Sequence, residues 1–468
     1  MKESRLHKNF TKLILEKDYK GNFSLLTFFS LLSKNKQYSL SEIKEFWKEH
    51  ISKIKKGIVE NKISFYIHIP FCRSRFAYCR HFYWKCNSRE ELDYYLKALI
   101  FKMNFFRDIF SEIKFKTLYI GGGTPSLLSE RQLRNLFTVL YKNFKFEEKG
   151  EKTLECNPIS SSFSKLKILN NSGINRISFG IQSTNEKILK SMNRGYENFA
   201  LVKRVIDYAK KCKFKRINVD LIIGLYGDNP KTVIKSFCQI ATLRPDSIAL
   251  YPLQPTQEYL AKFYQNKKEH FNKDLKNKLK EFFILIKPVA LRYNYFYFSP
   301  SLKELISLSD AWNFLSKEYI TDSEKQFLYK YDDTERIDCF GLGTGSCSYI
   351  FGNLRYQDIG EDFYPTSIQT LNEKIYYGIK FDSLKEQKLY HLLIGLDSNK
   401  LSLRAYKKLF GSDLLEDFQR IINKLKKLNK LKIKGDLIFL TSKSPRQRFV
   451  DSLIMLQNLW YKSSLKNV

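Results

Sequence analysis

The stretch KTLYIGGGTPSLLSERQLRNLF, residues 116–137, joins a short apolar run, three glycines and a helix-like pattern. The run KTLYI predicts a strand, and the segment from 129 to 145 is long enough for a helix. Gly121, Gly122 and Gly123 lie between them. They let the backbone approach a ligand closely, or they serve only as a tight turn. The stretch therefore predicts one strand–loop–helix unit.

Five more apolar, β-rich runs lie on either side of this unit. They are SFYIHI at 64–69, KTLEC at 152–156, NRISFGI at 175–181, RINVDLII at 216–223 and DSIALYPL at 246–253. The intervening segments are long enough for helices, so strand and helix alternate about six times. This order predicts an α/β fold with a parallel sheet, either an open doubly wound sheet or a full or partial barrel.

Polar residues stand at the ends of these predicted strands, where parallel α/β folds gather their chemistry. Glu155 is placed either to bind a ribose hydroxyl or to cap a helix, and Gln182 and Arg194 are site or surface residues. Asp220 lies inside an apolar strand, and a buried carboxylate needs a polar partner to offset its loss of hydration. We therefore expect Asp220 to be hydrogen-bonded.

The composition is that of a globular protein of two or three domains, with 468 residues, 43% of them hydrophobic and 15% aromatic. No stretch approaches the ~20 apolar residues of a membrane helix, and the run from Phe23 to Leu32 suits a buried or amphipathic helix. Eight irregularly spaced cysteines do not resemble a disulfide framework. Because the first residues also lack a signal-peptide pattern, a cytoplasmic location is expected.

The chain is strongly basic, with 81 Lys and Arg against 48 Asp and Glu and a formal net charge of +33. Such a balance favours acidic partners, including nucleic acid, an anionic membrane surface or a polycarboxylate such as a porphyrin. The same balance is also explained if the composition of the genome alone enriches the chain in lysine and asparagine. Charge therefore does not choose among these partners.

Six motifs in order resemble the radical S-adenosylmethionine superfamily, in the branch that holds oxygen-independent coproporphyrinogen III oxidase and haem chaperones. They span residues from about 61 to 255 and read YIHIPFC, YIGGGTPSLL, ECNP, GINRISFGIQS, MNRGY and VDLIIGLYGDNP. The resemblance implies a partial (β/α)6 TIM-like barrel. We expect an N-terminal helical extension at 1–60, the barrel at 61–300, a connecting and barrel-covering region at 301–385 and a helical, winged-helix-like domain at 386–468.

The stretch FYIHIPFCRSRFAYC, residues 65–79, departs from the family motif CxxxCxxC, whose three thiolates hold a four-iron four-sulfur cluster. Cys72 and Cys79 take the first and third positions, but Phe76 takes the second, and a phenyl ring does not ligate iron. Three explanations remain open: Cys86 or His81 completes the site, the cluster is absent or labile, or the cysteine was lost recently or through a sequence error.

The resemblance also assigns residues to S-adenosylmethionine, the cofactor that the cluster would cleave to a 5′-deoxyadenosyl radical. Tyr66 is expected beside the bound cofactor, and Glu155 on its ribose. The glycine-rich segment is expected to take the methionyl amino group through Gly122, Gly123 and Thr124. Contacts to a second S-adenosylmethionine are implied for Gln182, Arg194 and Asp220.

The activity implied is oxygen-independent oxidative decarboxylation of porphyrinogen propionates, with a flavodoxin-like electron donor. The alternative is a porphyrin- or haem-binding or delivery protein that performs no radical chemistry. A third reading, a nucleic-acid-associated enzyme, rests on the basic run NKLKKLNKLKIKG at 423–435. That run also suits a solvated helix face with Leu425, Leu428 and Leu431 buried, which is the reading that we favour.

At the N-terminal end, Ser39 and Glu42 predict a capping box ahead of a basic amphipathic helix. Its residues Ile43, Phe46 and Trp47 share one face. We expect this face to pack on the main domain.

Overall fold

The computed structural model describes residues 36–81, 83–298, 312–318, 338–351, 353–359, 376–380, 383–398 and 401–441. Its strands are β1 Lys36–Tyr38, β2 Ile63–Ile69, β3 Phe71–Cys72, β4 Trp84–Lys85, β5 Lys114–Phe115, β6 Leu118–Gly122, β7 Lys145–Phe146, β8 Lys152–Cys156, β9 Arg176–Gln182, β10 Arg216–Ile223, β11 Ser247–Pro252, β12 Tyr295–Phe298, β13 Trp312–Ser316, β14 Asp338–Leu342, β15 Cys347–Ile350, β16 Leu354–Asp358, β17 Tyr376–Lys380, β18 Leu401–Ser402, β19 Leu431–Lys434 and β20 Leu437–Leu440.

The helices follow the strands along the chain. They are α1 Leu40–Lys55, α2 Arg89–Phe106, α3 Glu130–Asn143, α4 Phe163–Asn171, α5 Glu186–Ser191, α6 Phe199–Lys211, α7 Pro230–Thr242, α8 Gln257–Tyr264, α9 Lys268–Arg292, α10 Leu384–Ser398, α11 Leu403–Phe410, α12 Leu414–Asp417 and α13 Gln419–Lys427.

The six predicted strands form one parallel array in the order β2-β6-β8-β9-β10-β11, and helices connect them. The register aligns Phe65 with Leu118, Leu154 with Ile177 and Val219 with Ile248. Most of their side chains are buried, as expected for parallel strands that helices cover. The prediction of alternating strands and helices around a parallel sheet is confirmed.

The sheet extends beyond this array at both edges, to thirteen strands among the described residues. Strand β14 pairs parallel to β2, and β15, β16, β17 and β1 continue antiparallel from it. At the other edge, β13 pairs antiparallel with β11, and β12 pairs antiparallel with β13. Strand β14 runs parallel to β2. Its amino end therefore lies beside the amino ends of the parallel array, and its carboxyl end beside their carboxyl ends.

Helix α1 begins with the predicted capping box, in which Ser39 and Glu42 bond to each other's backbone amide. Its inner face is buried through Ile43 and Trp47. The Trp47 indole Nε1 donates to the Tyr356 hydroxyl at 2.7 Å, which fastens the helix to β16. The predicted packing on the main domain is confirmed, while residues 1–35, including the run from Phe23 to Leu32, lie outside the described residues.

The C-terminal elements form a second, smaller core. Strands β18, β20 and β19 make a three-stranded sheet, and a separate cluster of buried residues includes Leu396, Tyr406 and Ile438. Leu425 and Leu431 are buried as expected, but the prediction for Leu428 is wrong, because its side chain is 54% exposed. Helix α13 ends at Lys427, so Leu428 caps it instead of continuing its apolar face. Among the helices of the described ranges, none has the length and apolarity to cross a bilayer.

Candidate functional site

The glycine-rich loop and Glu155 are joined at the carboxyl end of the parallel strands. The Tyr119 hydroxyl donates to Glu155 Oε1 at 2.5 Å, and the Gly122 amide donates to Oε2 at 3.2 Å. Gly122 has a φ of +113°, and a Cβ there would lie 2.7 Å from Nε2 of His68. Only glycine fits this position, because any side chain would overlap the His68 ring. The end of β6 therefore passes close to His68 of β2.

Tyr66 lies on β2, next to the loop. Its hydroxyl and His68 Nδ1 share a hydrogen bond of 2.8 Å, and its ring centroid is 6.1 Å from that of Tyr119. Burial and the nearby Glu155 carboxylate raise the pKa of Tyr66 well above its ordinary value, so the phenol stays protonated. Tyr119 and His68 were not expected as site residues, although both lie within the quoted motifs.

Asp220 has the partners that its position in an apolar strand demanded. Ser178 Oγ donates to Oδ2 at 2.9 Å, and Asn218 Nδ2 donates to Oδ1 at 2.7 Å. Burial, with a contribution from the negative charge of Glu155, raises the pKa of Asp220 to about 6. The carboxylates of Asp220 and Glu155 therefore lie in one polar region at the carboxyl ends of the parallel strands, which we call the mouth of the barrel.

Gln182 ends β9 in a left-handed conformation, with a φ of +67°. The β9–β10 register shifts at this point, between Asp220 and Leu221, as at a β-bulge. A Cβ on Gly180 would lie 2.9 Å from the Gln182 amide nitrogen, so the side chain folds back over its own strand. Strand β9 thus directs the Gln182 amide toward the part of the barrel that holds Asp220.

Arg194 is buried and engaged with protein groups on several sides. Its guanidinium pairs with the Glu197 carboxylate at 2.9 Å and donates to the Tyr78 hydroxyl at 3.1 Å and to the Gly180 carbonyl at 2.6 Å. The same group lies over the ring of Phe76, 5.5 Å from its centroid. This set of contacts was not foreseen from the sequence, and the expected contact of Arg194 with a nucleoside stays a prediction.

The predicted iron ligands lie in or beside the loop that follows β2. Cys72 is buried, with Sγ 3.3 Å from Thr124 Oγ1, and burial raises the pKa of its thiol to about 12. Burial also raises the thiol pKa values of Cys79 and Cys86. The Cys86 amide donates to the Cys72 carbonyl at 2.8 Å, but its thiol donates to the Ser88 carbonyl.

Phe76 occupies the interior of this loop. Its side chain is 6% exposed, and its ring centroid lies 5.7 Å from that of Tyr78. The Tyr83 hydroxyl accepts from the Phe76 amide at 2.7 Å and donates to the Phe76 carbonyl at 3.0 Å. We call this arrangement of Phe76, Tyr78, Tyr83 and Arg194 the aromatic latch.

A four-iron four-sulfur cluster bound by three thiolates does not fit these residues. The second ligand position holds the ring of Phe76, and His81 is exposed. Within the described part of the chain, no three His, Cys, Asp or Glu side chains are grouped closely enough to hold a metal ion. The residues expected around the nucleoside, by contrast, meet at one mouth: Tyr66, Gly122, Gly123, Thr124, Glu155, Gln182 and Asp220.

Known proteins are similar in sequence to the part of the chain that forms this site. A family model described as the radical SAM superfamily matches residues 66–237. Heme chaperone HemW of Lactococcus lactis is 28% identical over 365 residues, which cover 75% of this chain and 88% of that protein. The oxygen-independent coproporphyrinogen III oxidase of Escherichia coli is 29% identical over 197 residues, and the match covers 41% of this chain and only 42% of the oxidase.

One solved structure matches nearly the whole chain. The coproporphyrinogen III oxidase HemN of Escherichia coli, described as a radical SAM enzyme, superposes with a TM-score of 0.66 over 93% of this chain and 98% of that chain. The sequence identity is 18%, so the likeness concerns the fold alone. The predicted TIM-like α/β architecture is confirmed.

Proposed function

We propose, from the match of residues 66–237 to the radical S-adenosylmethionine family model, that this chain binds haem or a porphyrin and holds or delivers it without cluster-dependent chemistry. The observation that carries the proposal is Phe76. Its buried ring stands where the family has its second iron ligand.

Radical chemistry in this family depends on three thiolates around a cluster. Phe76 supplies no lone pair, and the aromatic latch fixes its amide and its carbonyl through Tyr83. Recruiting Cys86 would break its bond to the Ser88 carbonyl. The loop as it stands favours a cluster-free protein.

Two features support a tetrapyrrole as the ligand. The relative matched over most of its own length is named a heme chaperone, and the shorter matches are named heme chaperones or coproporphyrinogen oxidases. The loop around the latch also exposes Arg73, Arg75 and Arg80. Guanidinium groups pair with carboxylates through two parallel hydrogen bonds, which suits the propionates of a tetrapyrrole.

The proposal keeps S-adenosylmethionine as a ligand of the mouth. Tyr66, the glycine-rich segment from 122 to 124 and Glu155 would hold the first nucleoside, with Gln182, Arg194 and Asp220 available to a second. What supports this part is the convergence of all but Arg194 at one end of the strands. The nucleoside would fill the mouth and exclude water from it.

The second candidate function is the oxidative decarboxylation of a porphyrinogen. It is favoured by the retention of Cys72 and Cys79 and by the 29% identity to the Escherichia coli oxidase. Only this candidate needs a flavodoxin-like electron donor. Both candidates place the chain in the cytoplasm, and neither uses nucleic acid.

Anaerobic incubation with iron and sulfide separates the two candidates. We expect the wild-type chain to retain no more iron than a Cys72→Ser, Cys79→Ser double variant, and to form no 5′-deoxyadenosine from S-adenosylmethionine. Phe76→Cys should then raise iron uptake above both. Retention of a cluster by the wild-type chain, together with 5′-deoxyadenosine, would instead establish the second candidate.

Haem titration followed by absorbance tests the ligand. Arg75→Met should weaken haem binding tenfold or more, because a charge-assisted hydrogen bond contributes roughly 1.5–3 kcal/mol. Arg131→Met is the matched control. Both arginines are exposed, at 76% and 80%, and each pairs with one carboxylate, Glu258 or Asp93. Equal losses in the two variants, or no haem binding by the wild-type chain, would remove the proposal.

A further inference from the structure

A cavity of about 350 Å³ lies at the opposite end of the strands from the mouth. It is bounded by the last turns of α1, the turn between β15 and β16 and the end of β17, and its lining residues are Glu49, His50, Lys53, Val59, Phe351, Asn353 and Lys380. We call it the basal cavity. Its volume is at the lower end of the range for small-molecule pockets.

A fixed histidine lines the basal cavity. Its Nε2 lies 2.9 Å from Oδ2 of Asp338, which is the first residue of β14, and both side chains are buried. The other carboxylate oxygen of Asp338 accepts from the Phe351 amide at 2.7 Å. With both oxygens of Asp338 used, Nδ1 of His50 is the ring nitrogen left over, and it has no hydrogen-bond partner in the described part of the chain.

Two lysines stand at the same cavity. Lys53 Nζ pairs with Glu49 at 2.6 Å, whereas Lys380 makes no ion pair with any described residue. The pKa of Glu49 is lowered, first by its hydrogen bond to Lys53 and then by the charges of Lys53, Lys380 and His50. Several basic groups therefore share one exposed carboxylate.

We propose that the basal cavity binds a small organic oxyanion, a phosphate ester or a carboxylate. Asp338 accepts from Nε2 of His50 and Glu49 pairs with Lys53, which leaves the ammonium of Lys380, 5.6 Å from the centroid of the Phe46 ring, as the cation that would contact the anion. The C-terminal dipole of α1 opposes an anion, and because Lys53 and Lys55 in its last turn pair with Glu49 and Glu112, the attraction of Lys380 has to outweigh that dipole.

The walls of the cavity indicate an organic ligand. Val59 and Phe351 supply apolar surface beside the cationic groups, and Asn353 supplies an amide. The Phe351 ring also contacts Phe410 of α11, with centroids 5.8 Å apart. A ligand in the basal cavity would therefore contact a residue that links the barrel to the C-terminal core.

Equilibrium dialysis of the full-length chain tests the proposal, with labelled inorganic phosphate in one arm and labelled succinate in the other. We expect at least one of them to bind, and Lys380→Met to weaken it about tenfold, as expected for one lost charge-assisted contact. Lys48→Met is the control, since Lys48 lies on α1, which borders the cavity, but is 64% exposed and is outside the cavity.

A second measurement uses only wild-type protein, so it does not require any variant to fold. In wild-type protein with ¹⁵N-labelled histidine, the bound probe should shift the His50 ring resonances and leave those of His270, an exposed residue of α9, unchanged. The proposal is overturned if neither probe binds, if the Lys380 and Lys48 variants behave alike, or if the His50 resonances do not move. Haem titration of Lys380→Met should match the wild-type result, which keeps this site independent of the proposed tetrapyrrole function.

Discussion

The guanidinium of Arg194 joins the aromatic latch to the end of β9, because it bonds Glu197, the Tyr78 hydroxyl and the Gly180 carbonyl at once. Removing one partner of a buried ion pair leaves the other charge without compensation. The latch, the β9 terminus and the Glu197 carboxylate therefore depend on a single side chain.

Arg194→Met should lower the free energy of unfolding by about 3–5 kcal/mol, because Glu197 would stay buried and unpaired. Urea denaturation followed by circular dichroism measures the change. The double variant Arg194→Met, Glu197→Gln should recover much of the loss. Equal losses in the single and double variants would mean that the ion pair is not the cause.

Asp220→Asn should stabilise the chain at neutral pH. The pKa of Asp220 is about 6 in the folded protein against an ordinary value of 3.8, so its charge disfavours the folded state above pH 6. Between pH 3.8 and about pH 6, the folded state keeps a proton on Asp220 that the unfolded state has lost. The stability that the wild-type chain loses to this charge is therefore regained as the pH falls from about 6 to 3.8. The variant should gain roughly 2–3 kcal/mol at pH 7.5 and little at pH 4.

Denaturation at several pH values checks this prediction. An Asp220→Asn gain that does not change between pH 7.5 and pH 4 would contradict it. The need of Asp220 for polar partners was predictable, because it is the carboxylate inside an apolar strand. Its particular partners were not, since the pairing of Ser178 with Asp220 follows from the register of β9 and β10.

At the scale of elements, the helix starts are specified locally. Ser129 and Gln132 form a capping box at α3, with hydrogen bonds of 3.3 and 2.8 Å between each side chain and the other residue's amide. Such caps satisfy amides that the first turn of a helix leaves without partners. They can be recognised from four consecutive residues.

Ser129→Ala should cost about 0.5–2 kcal/mol of unfolding free energy, as other lost N-caps do. Thr138→Ala is the control, because Thr138 is exposed in the middle of the same helix and also loses a hydroxyl. Chemical denaturation of both variants gives the comparison. Losses of the same size at the two positions would argue against the cap.

The six parallel strands were predictable because each is a short apolar run, and that pattern depends on the strand alone. The pairing of β14 with β2 was not, since it joins residues near 338 to residues near 63 and no local period encodes it. The two-stranded pairs β3–β4 and β5–β7 are too short for a period to show. The sequence shows that Phe76 departs from the family motif, whereas the packing of its ring against Arg194 is seen only in the folded chain.

At the scale of the whole molecule, the described residues hold two separate apolar cores, a large one in the barrel and a small one built from α10 to α13 and the three-stranded sheet. The contacts between them include Phe351 with Phe410 and Tyr349 with Gln387. Chains with more than one core often unfold in more than one step.

Calorimetry should therefore show two transitions, and Leu425→Ala should lower only the one that belongs to the small core. Leu425 is 4% exposed, and such truncations cost about 2–5 kcal/mol. Leu428→Ala, at 54% exposure, should change neither transition measurably. A single transition that moves as a whole in the Leu425 variant would show that the two cores unfold together.

The aromatic latch bears on how this protein tolerates air. Iron–sulfur clusters that keep an open iron are destroyed by dioxygen, and a loop that depends on one loses its order with it. Here ring packing and a tyrosine hydroxyl hold the loop, and the buried Cys72 thiol stays protonated and therefore unreactive. Aeration should leave its shape, and the ligand mouth beside it, intact.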